Sequence, residues 1–426
     1  MKAWRQWMGI ALAVFLCLPA FAFADSEVDI LLDKLVEKEI LTSAEAGSIR
    51  QEISETKEAR NKQLAKEIVP DSARNWKWGG DIRLRNEYRN KVGTGNDRNR
   101  QRMRFRYGAE GQVTSELKAK FRIATGVSST GGTGGEPVST NQSFDTNFAK
   151  KNIALDLASL SYSPEVPGID KVEVIGGVME NPMWVVSPMV WDSDLGFDGA
   201  AAKIEENAGP VKLFANGGVF SLDTDETESA SLWTTQGGFS VAPFADLESE
   251  VAKNLKLTAA IAYHDYRNVA DATEAGTDII AREAQNTTTK DFNQVNPTGE
   301  IATQINGIPV ALFGDWVRNV STGSGSNTDD GFVVGTKIGK AKTPLSLKDG
   351  WEAGYFYEEL EANAVFDEFA DGDFNDGGTN AKGHKYWVSL AVLKNSTLNA
   401  TFIQAHQLIG TKTNEDRLQV DWVTKF

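Results

Sequence analysis

Residues 98–107 read R-N-R-Q-R-M-R-F-R-Y: an arginine stands at every second position (Arg98, Arg100, Arg102, Arg104, Arg106), and Met103, Phe105 and Tyr107 fill places between them. Period two is the strand period, because successive side chains of a strand point to opposite faces. The segment therefore predicts a strand with a wall of guanidinium groups on one face and an apolar, aromatic face on the other. A soluble sandwich would turn the arginines to bulk water and the apolar face to a core. A transmembrane barrel would turn the apolar face to lipid and the arginines to a wet lumen.

The same alternation recurs on both sides. Ile82, Leu84 and Tyr88 alternate with Arg83, Arg85, Glu87 and Arg89, and Leu117, Ala119, Phe121 and Ile123 alternate with Lys118, Lys120 and Arg122. These faces carry too much charge for a core. Later in the chain Trp351, Ala353, Tyr355 and Tyr357 alternate with Glu352, Gly354, Phe356 and Glu358, and Leu418, Val420 and Trp422 alternate with Arg417, Gln419 and Asp421. Aromatic residues near strand ends suit the interfacial girdles of a membrane barrel. Residues 153–162 have small or mixed side chains on both faces, and their register stays open.

From Trp76 to Phe426 about sixteen strands can be marked, and their connections separate into two sets. Those after even-numbered strands are mostly short: 114–117, 164–170, 207–210, Asn306-Gly307 and 394–396. Asn-Gly is the strongest hairpin signal available. Those after odd-numbered strands are mostly long and polar: 126–151, 221–230, 268–297, 321–330, 362–382 and 408–415. Short turns on one rim and long loops on the other is the construction of a bacterial outer-membrane barrel. The expected fold is all-β, a transmembrane antiparallel barrel of about sixteen strands over 76–426, preceded by a short α-helical or coiled-coil segment.

That segment is 25–70. Val28, Leu31, Leu32, Leu35 and Val36 recur at helical spacing, and Thr42 with Glu45 makes a capping-box pattern that would start a second helix running through Ile49 and Ile53 toward Ile68. Pro70 ends it. Before it, Lys2 and Arg5 precede an apolar run closed by Ala22-Phe23-Ala24, so residues 1–24 are expected to be a cleaved secretory signal. The single cysteine, Cys17, lies in that run, which removes disulfides and thiol chemistry from the mature chain. After residue 24 no apolar stretch approaches the roughly 18 residues a membrane helix needs. A closed barrel is the other spanning structure that satisfies its backbone in lipid. The net charge of −15 speaks against nucleic acid as a partner.

Further segments carry a resemblance. L-L-D-K-L-V-E-K-E-I-L-T (31–42), G-D-I-R-L-R-N-E-Y-R (80–89), D-R-N-R-Q-R-M-R-F-R (97–106), M-V-W-D-S-D-L (189–195), G-G-T-N-A-K-G-H (377–384) and R-L-Q-V-D-W-V-T-K-F (417–426) resemble the "Putative porin" family of Gram-negative bacteria. Glu39 departs from the glycine expected between the two helices. The resemblance implies an outer-membrane porin, a homotrimer, a periplasmic helical segment, contact with membrane lipid and lipopolysaccharide, and no cofactor. It also implies that the terminal aromatic Phe426 signals to the barrel-assembly machinery.

Candidate pore residues follow from charge placement. Between Lys77 and Arg122 there are thirteen Lys or Arg against five Asp or Glu, in a chain that is acidic overall. If they face the lumen, Arg83, Arg85, Arg100, Arg102, Arg104, Arg106, Lys118, Lys120 and Arg122 make one wall positive, which would concentrate anions and slow cations. The competing reading is that Asp81, Glu87, Asp97, Glu110 or an inward loop neutralises them. Asn181–Asp194 is oddly apolar for an external loop, and by analogy with classical porins it is the candidate constriction, with Trp184, Trp191, Asp192 and Asp194 available to face the basic wall. In the alternative, the two tryptophans sit at the outer membrane interface or against a neighbouring loop.

The acidic stretch 358–376 is expected to be a solvated surface loop, bridged to lipopolysaccharide by divalent cations, because its spacing does not match an EF-hand. No metal site is assigned. Catalysis has little footing: three histidines (His264, His384, His406), no thiol, no G-x-S-x-G elbow and no phosphate loop. The expectation is a water-filled diffusion channel for small hydrophilic solutes or ions, anion-preferring and not an enzyme. Its rivals are a structural or adhesive barrel with a closed lumen, an outer-membrane hydrolase and a soluble exported sandwich.

Overall fold

The computed structural model describes residues 27–38, 40–52, 55, 75–92, 97–126, 137–144, 147–224, 229–269, 273–274, 277–278, 292–321, 328–410 and 413–426. The signal segment, Glu39, Ile53, Ile68 and Pro70 lie outside them. Two compact units divide at residues 74 and 75. In the first, helix α1 (Glu27–Glu37) precedes a helical run over 43–52. The capping box is formed: Thr42 donates its backbone N–H to Glu45 Oε2 at 2.8 Å and Glu45 returns its own to Thr42 Oγ1 at 3.3 Å. The backbone N–H and the hydroxyl of Thr42, both donating to the Glu45 carboxylate, hold it below its usual range. Arg50 reaches Asp33 at 2.5 Å, and Leu32 and Ala46 are buried.

The second unit is a closed antiparallel barrel of sixteen strands among the described residues. They are β1 (Trp76–Val92), β2 (Arg98–Gln112), β3 (Leu117–Thr125), β4 (Ile153–Tyr162), β5 (Lys171–Met179), β6 (Phe197–Ala208), β7 (Val211–Thr224) and β8 (Ser229–Val241). The remainder are β9 (Lys256–Arg267), β10 (Asn293–Ile305), β11 (Ile308–Asn319), β12 (Asp330–Ala341), β13 (Gly350–Leu360), β14 (Ala381–Leu393), β15 (Ser396–Gln407) and β16 (Asn414–Lys425). Each pairs with its sequence neighbours, and β16 returns to β1 with Arg85 opposite Asp421. Gly80 and the terminal Phe426 exchange backbone hydrogen bonds at 2.9 and 3.1 Å and finish the seam.

The faces are inverted relative to a soluble protein. Ile82, Leu84 and Tyr88 point outward and are 40%, 48% and 38% exposed, while Asp81, Arg85, Glu87 and Arg89 of the same strand are buried inside. Around the rim where the chain ends, Trp76, Trp78, Tyr107, Phe121 and Phe426 stack on the outer face with ring centroids 5.8–6.4 Å apart, as a membrane-interface girdle requires. Among the described residues no helix is long and apolar enough to cross a membrane.

The connections follow the two-rim pattern with two local differences. Asn306 and Gly307 have φ of 53° and 72°, as a type I′ turn demands. The loop expected over 221–230 contracts to 225–228, because β7 and β8 go on pairing as far as Thr224 and Ser229. On the short-turn rim the connection 242–255 is long and holds the helical turn Glu250–Lys253, whose Glu250 carboxylate accepts the backbone N–H groups of Asn306 and Gly307 at 3.1 and 2.6 Å.

The acidic stretch is where expectation and structure part. Residues 361–380 fold into the lumen, and Glu358, Asp367 and Asp371 are buried. Val365, Phe366, Ala370 and Phe374 are interspersed with the acids and are each 1% exposed, so burying them carries the carboxylates inside.

Candidate functional site

Two loops cross the lumen, 180–196 after β5 and 361–380 after β13, and both are amphipathic along their length. Their apolar parts join one cluster with the inward faces of β6–β9 and β11–β15. Trp191 packs against Phe197, His264, Tyr266 and Phe369 with centroids 5.1–6.4 Å apart, and Phe366 against Tyr266, Phe292 and Phe369 at 5.0–5.6 Å. Polar anchors reinforce them: Ser187 donates to Asp315 at 2.7 Å, and the Trp184 backbone exchanges two 2.8 Å bonds with the Gln236 side chain. Trp184 also meets the Phe214 ring edge-on.

The acidic parts face β16, β1, β2 and β3. Asp194 approaches Arg104 at 3.5 Å and Arg106 at 3.6 Å, and both arginines share Asp81 at 2.8 and 2.7 Å. From the other loop Asp373 accepts from Arg85 at 3.1 Å, Arg417 at 3.3 Å and Gln419 at 2.8 Å. Arg85 is also held by a bidentate pair to Asp421 at 2.7 and 2.9 Å, a geometry that suits the planar guanidinium. Burial alone would raise the Asp373 carboxyl, but Arg85, Arg417 and Lys385 hold it well below the usual range.

Asp192 does not meet the arginines. It accepts the backbone N–H of Gly372 at 2.9 Å and of Asp194 at 2.8 Å, tying the two loops together. Burial, and then the neighbouring Asp371 charge, pushes it up to about 8. Asp371 itself is paired with Lys385 at 2.7 Å.

The remaining wall residues divide sharply. Arg100 pairs with Glu87 at 2.6 Å, Lys118 with Glu110 at 3.9 Å, Lys120 with Glu180 at 2.8 Å, and Arg122 with Asp156 and Glu180. Seven of the nine named cations therefore meet a carboxylate. Among the described residues the other two, Arg83 and Arg102, make side-chain bonds to neutral groups of the segment 137–144: Arg83 donates to Asn141 Oδ1 at 2.6 Å and Arg102 to Ser139 Oγ at 3.2 Å. Both border a cavity of about 610 Å³ between β1, β2 and the crossing loops, with Val185, Pro188, Asp192 and Asp194 on its other sides.

Sequence reasoning reached Asp81, Glu87 and Asp194 but missed Asp371, Asp373 and Lys385. The cue was present, since 362–370 (A-N-A-V-F-D-E-F-A) is as apolar for an external loop as 181–194. Of the histidines, His264 bonds Thr234 at 2.7 Å in the core, and His384 bonds Tyr355 at 3.0 Å. At the ends of β11–β13, Asp329, Asp330 and Glu361 bring carboxylate oxygens within 4.8 Å of one another, and Arg318 at 3.7 and 3.8 Å offsets their charge.

Residues 88–308 and 291–426 match the model of a family described as "Putative porin". Among solved structures, the high-pH form of OprB from Pseudomonas putida is similar with a TM-score of 0.53 at 11% identity, over 83% of this chain and 94% of that one. The outer membrane channel DcaP of Acinetobacter baumannii aligns with a TM-score of 0.45 at 11% identity, over 82% of this chain and 97% of that one. No curated relative matches the chain.

Proposed function

Because the chain belongs to the "Putative porin" family, and family and barrel point to the outer membrane, we propose that it is a water-filled diffusion channel for small hydrophilic solutes or ions that prefers anions. The observation that carries this reading is the cavity of about 610 Å³ bordered by two guanidinium groups that, among the described residues, have no carboxylate in ion-pair contact. The other seven named cations are paired with carboxylates, so on this reading the selectivity rests more on Arg83 and Arg102 than on the whole wall. In a narrow passage with low-dielectric sides, two uncompensated charges bias the entry of ions. Export with removal of residues 1–24, a periplasmic place for 25–70, recognition of Phe426 during assembly, contact with lipopolysaccharide and a homotrimeric state belong to the same proposal.

One observation favours a second reading, a structural barrel with a closed lumen: the crossing loops join an apolar cluster inside the barrel. Planar-bilayer recording on the folded, pure protein separates the two. The channel reading expects a reversal potential across a KCl gradient that favours chloride and moves toward zero selectivity in Arg83→Ala/Arg102→Ala. The absence of current would leave the closed barrel, and unchanged selectivity in the variant would place the ion path elsewhere.

A further inference from the structure

The cavity is more specific than a passage for anions. Arg83 and Arg102 are diagonal neighbours across β1 and β2, because Arg83 is opposite Arg104 and Arg102 is opposite Arg85. Each guanidinium carries five N–H donors, and the described side chains engage one of each. Asn141 Nδ2 donates to Ser139 Oγ at 3.3 Å, which joins the two neutral anchors and holds both guanidinium groups in one polar unit. Arg102 is 8% exposed, so its charge is withdrawn from bulk water, and among the described residues no carboxylate reaches it in an ion pair, which is costly for a buried charge. Such a pair is built to receive an oxyanion.

We propose that this cavity is a binding subsite for organic monocarboxylates with an apolar body, the carboxylate held between Arg83 and Arg102. The proposal deepens the channel reading above and rests on it for its biological sense. The opposite surfaces select the class. Val138, Val185, Val186 and Pro188 border the same space and offer an apolar seat for the body of the solute. Glu180, Asp194, Asp371 and Asp373 also border it, so a second negative charge on the solute would meet carboxylates on that side, which disfavours dicarboxylates and inorganic phosphate. One carboxylate with a ring or branched chain behind it satisfies both walls.

The test is calorimetric titration of the full-length protein in detergent with sodium benzoate, acetate, inorganic phosphate and benzylamine, in parallel with block of chloride current in bilayers. Benzoate should bind saturably and interrupt the current, with acetate weaker and the other two weaker still. Arg83→Gln/Arg102→Gln should weaken benzoate at least about tenfold, the scale of losing charge-assisted hydrogen bonds. Arg83→Lys/Arg102→Lys keeps the charge and should recover part of the binding, which guards against a folding defect, as does heat-modifiable gel mobility. Equal benzoate affinity in the Gln variant, or phosphate binding as tightly as benzoate, overturns the proposal. The two arms fail separately: binding without any current would retain the subsite and sink the channel, whereas current with no benzoate binding would do the reverse.

Discussion

The two halves of the barrel interior hold the same pair of loops by opposite means. Along β6–β9 and β11–β15 the wall is a dry cluster in which Phe197, Phe220, Tyr266, Phe292 and Ile403 are each 5% exposed or less. Along β16, β1, β2 and β3 it is a lattice of arginines closed by Asp81, Glu87, Asp421 and the loop carboxylates Asp194 and Asp373. Apolar contact is non-directional and strong in aggregate, so the first half supplies most of the docking energy. Ion pairs demand geometry and gain little net energy once desolvation is counted, so the second half fixes where the loops end rather than whether they dock. The opening lies beside Arg83 and Arg102, which among the described residues have no carboxylate in ion-pair contact.

The comparison breaks most readily from the apolar side. Phe366 is 1% exposed and touches three rings, so Phe366→Ala should cost about 3–5 kcal/mol of loop docking. Residues 361–380 should then become accessible to added protease, and single-channel conductance should rise. Full protection with unchanged conductance would mean that the charged half carries the docking.

The charged half should show itself in pH. Asp192 keeps its proton in the folded protein to about pH 8 and releases it near 4 when unfolded. Between those values the folded state binds more protons, so this group lowers stability as pH rises. Asp373 has the opposite sign: its folded value is depressed, so its contribution is present above its unfolded value and lost as pH falls through the folded one. From these two groups, loop docking should therefore be strongest near pH 4 and weaken toward pH 8. Asp192→Asn removes only the alkaline loss, so variant and wild type should unfold alike near pH 4 and diverge in favour of the variant toward pH 9. Parallel curves in heat-modifiability gels across that range would exclude a role for Asp192.

Much of the barrel was legible because period two exposes both faces of a strand at once. The arginines of 98–106 could be placed on one face without knowing a partner strand, and the alternation of Arg417, Gln419 and Asp421 belonged to the same wall once β16 closed on β1. Residues 153–162 resisted for a physical reason. The β3–β4 register shifts between Arg122 and Ile123, where Leu157 and Leu155 are successive partners and Asp156 is skipped. Ile153 and Leu155 face outward before that bulge, and Leu160 and Tyr162 after it, so no single parity describes the strand. Charge balance was harder still. Whether the arginines stand free depends on Asp194 and Asp373, which lie about 90 and 270 residues away in the chain and arrive only because the loops fold inward.

The smallest expected effect sharpens the boundary of the charged half. Lys118 belongs to the same basic strand face as Arg122, yet it sits one residue inside the start of β3 with 47% of its side chain exposed, and Glu110 is 3.9 Å away and equally open. Exposed pairs of this kind are worth about 0–1 kcal/mol and are screened by salt. Lys118→Ala should leave both stability and the reversal potential close to wild type, while Arg102→Ala, from the enclosed part of the wall, shifts the potential. A shift in Lys118→Ala as large as that in Arg102→Ala would mean that the whole basic face acts on the ion path, and that local pairing does not silence it.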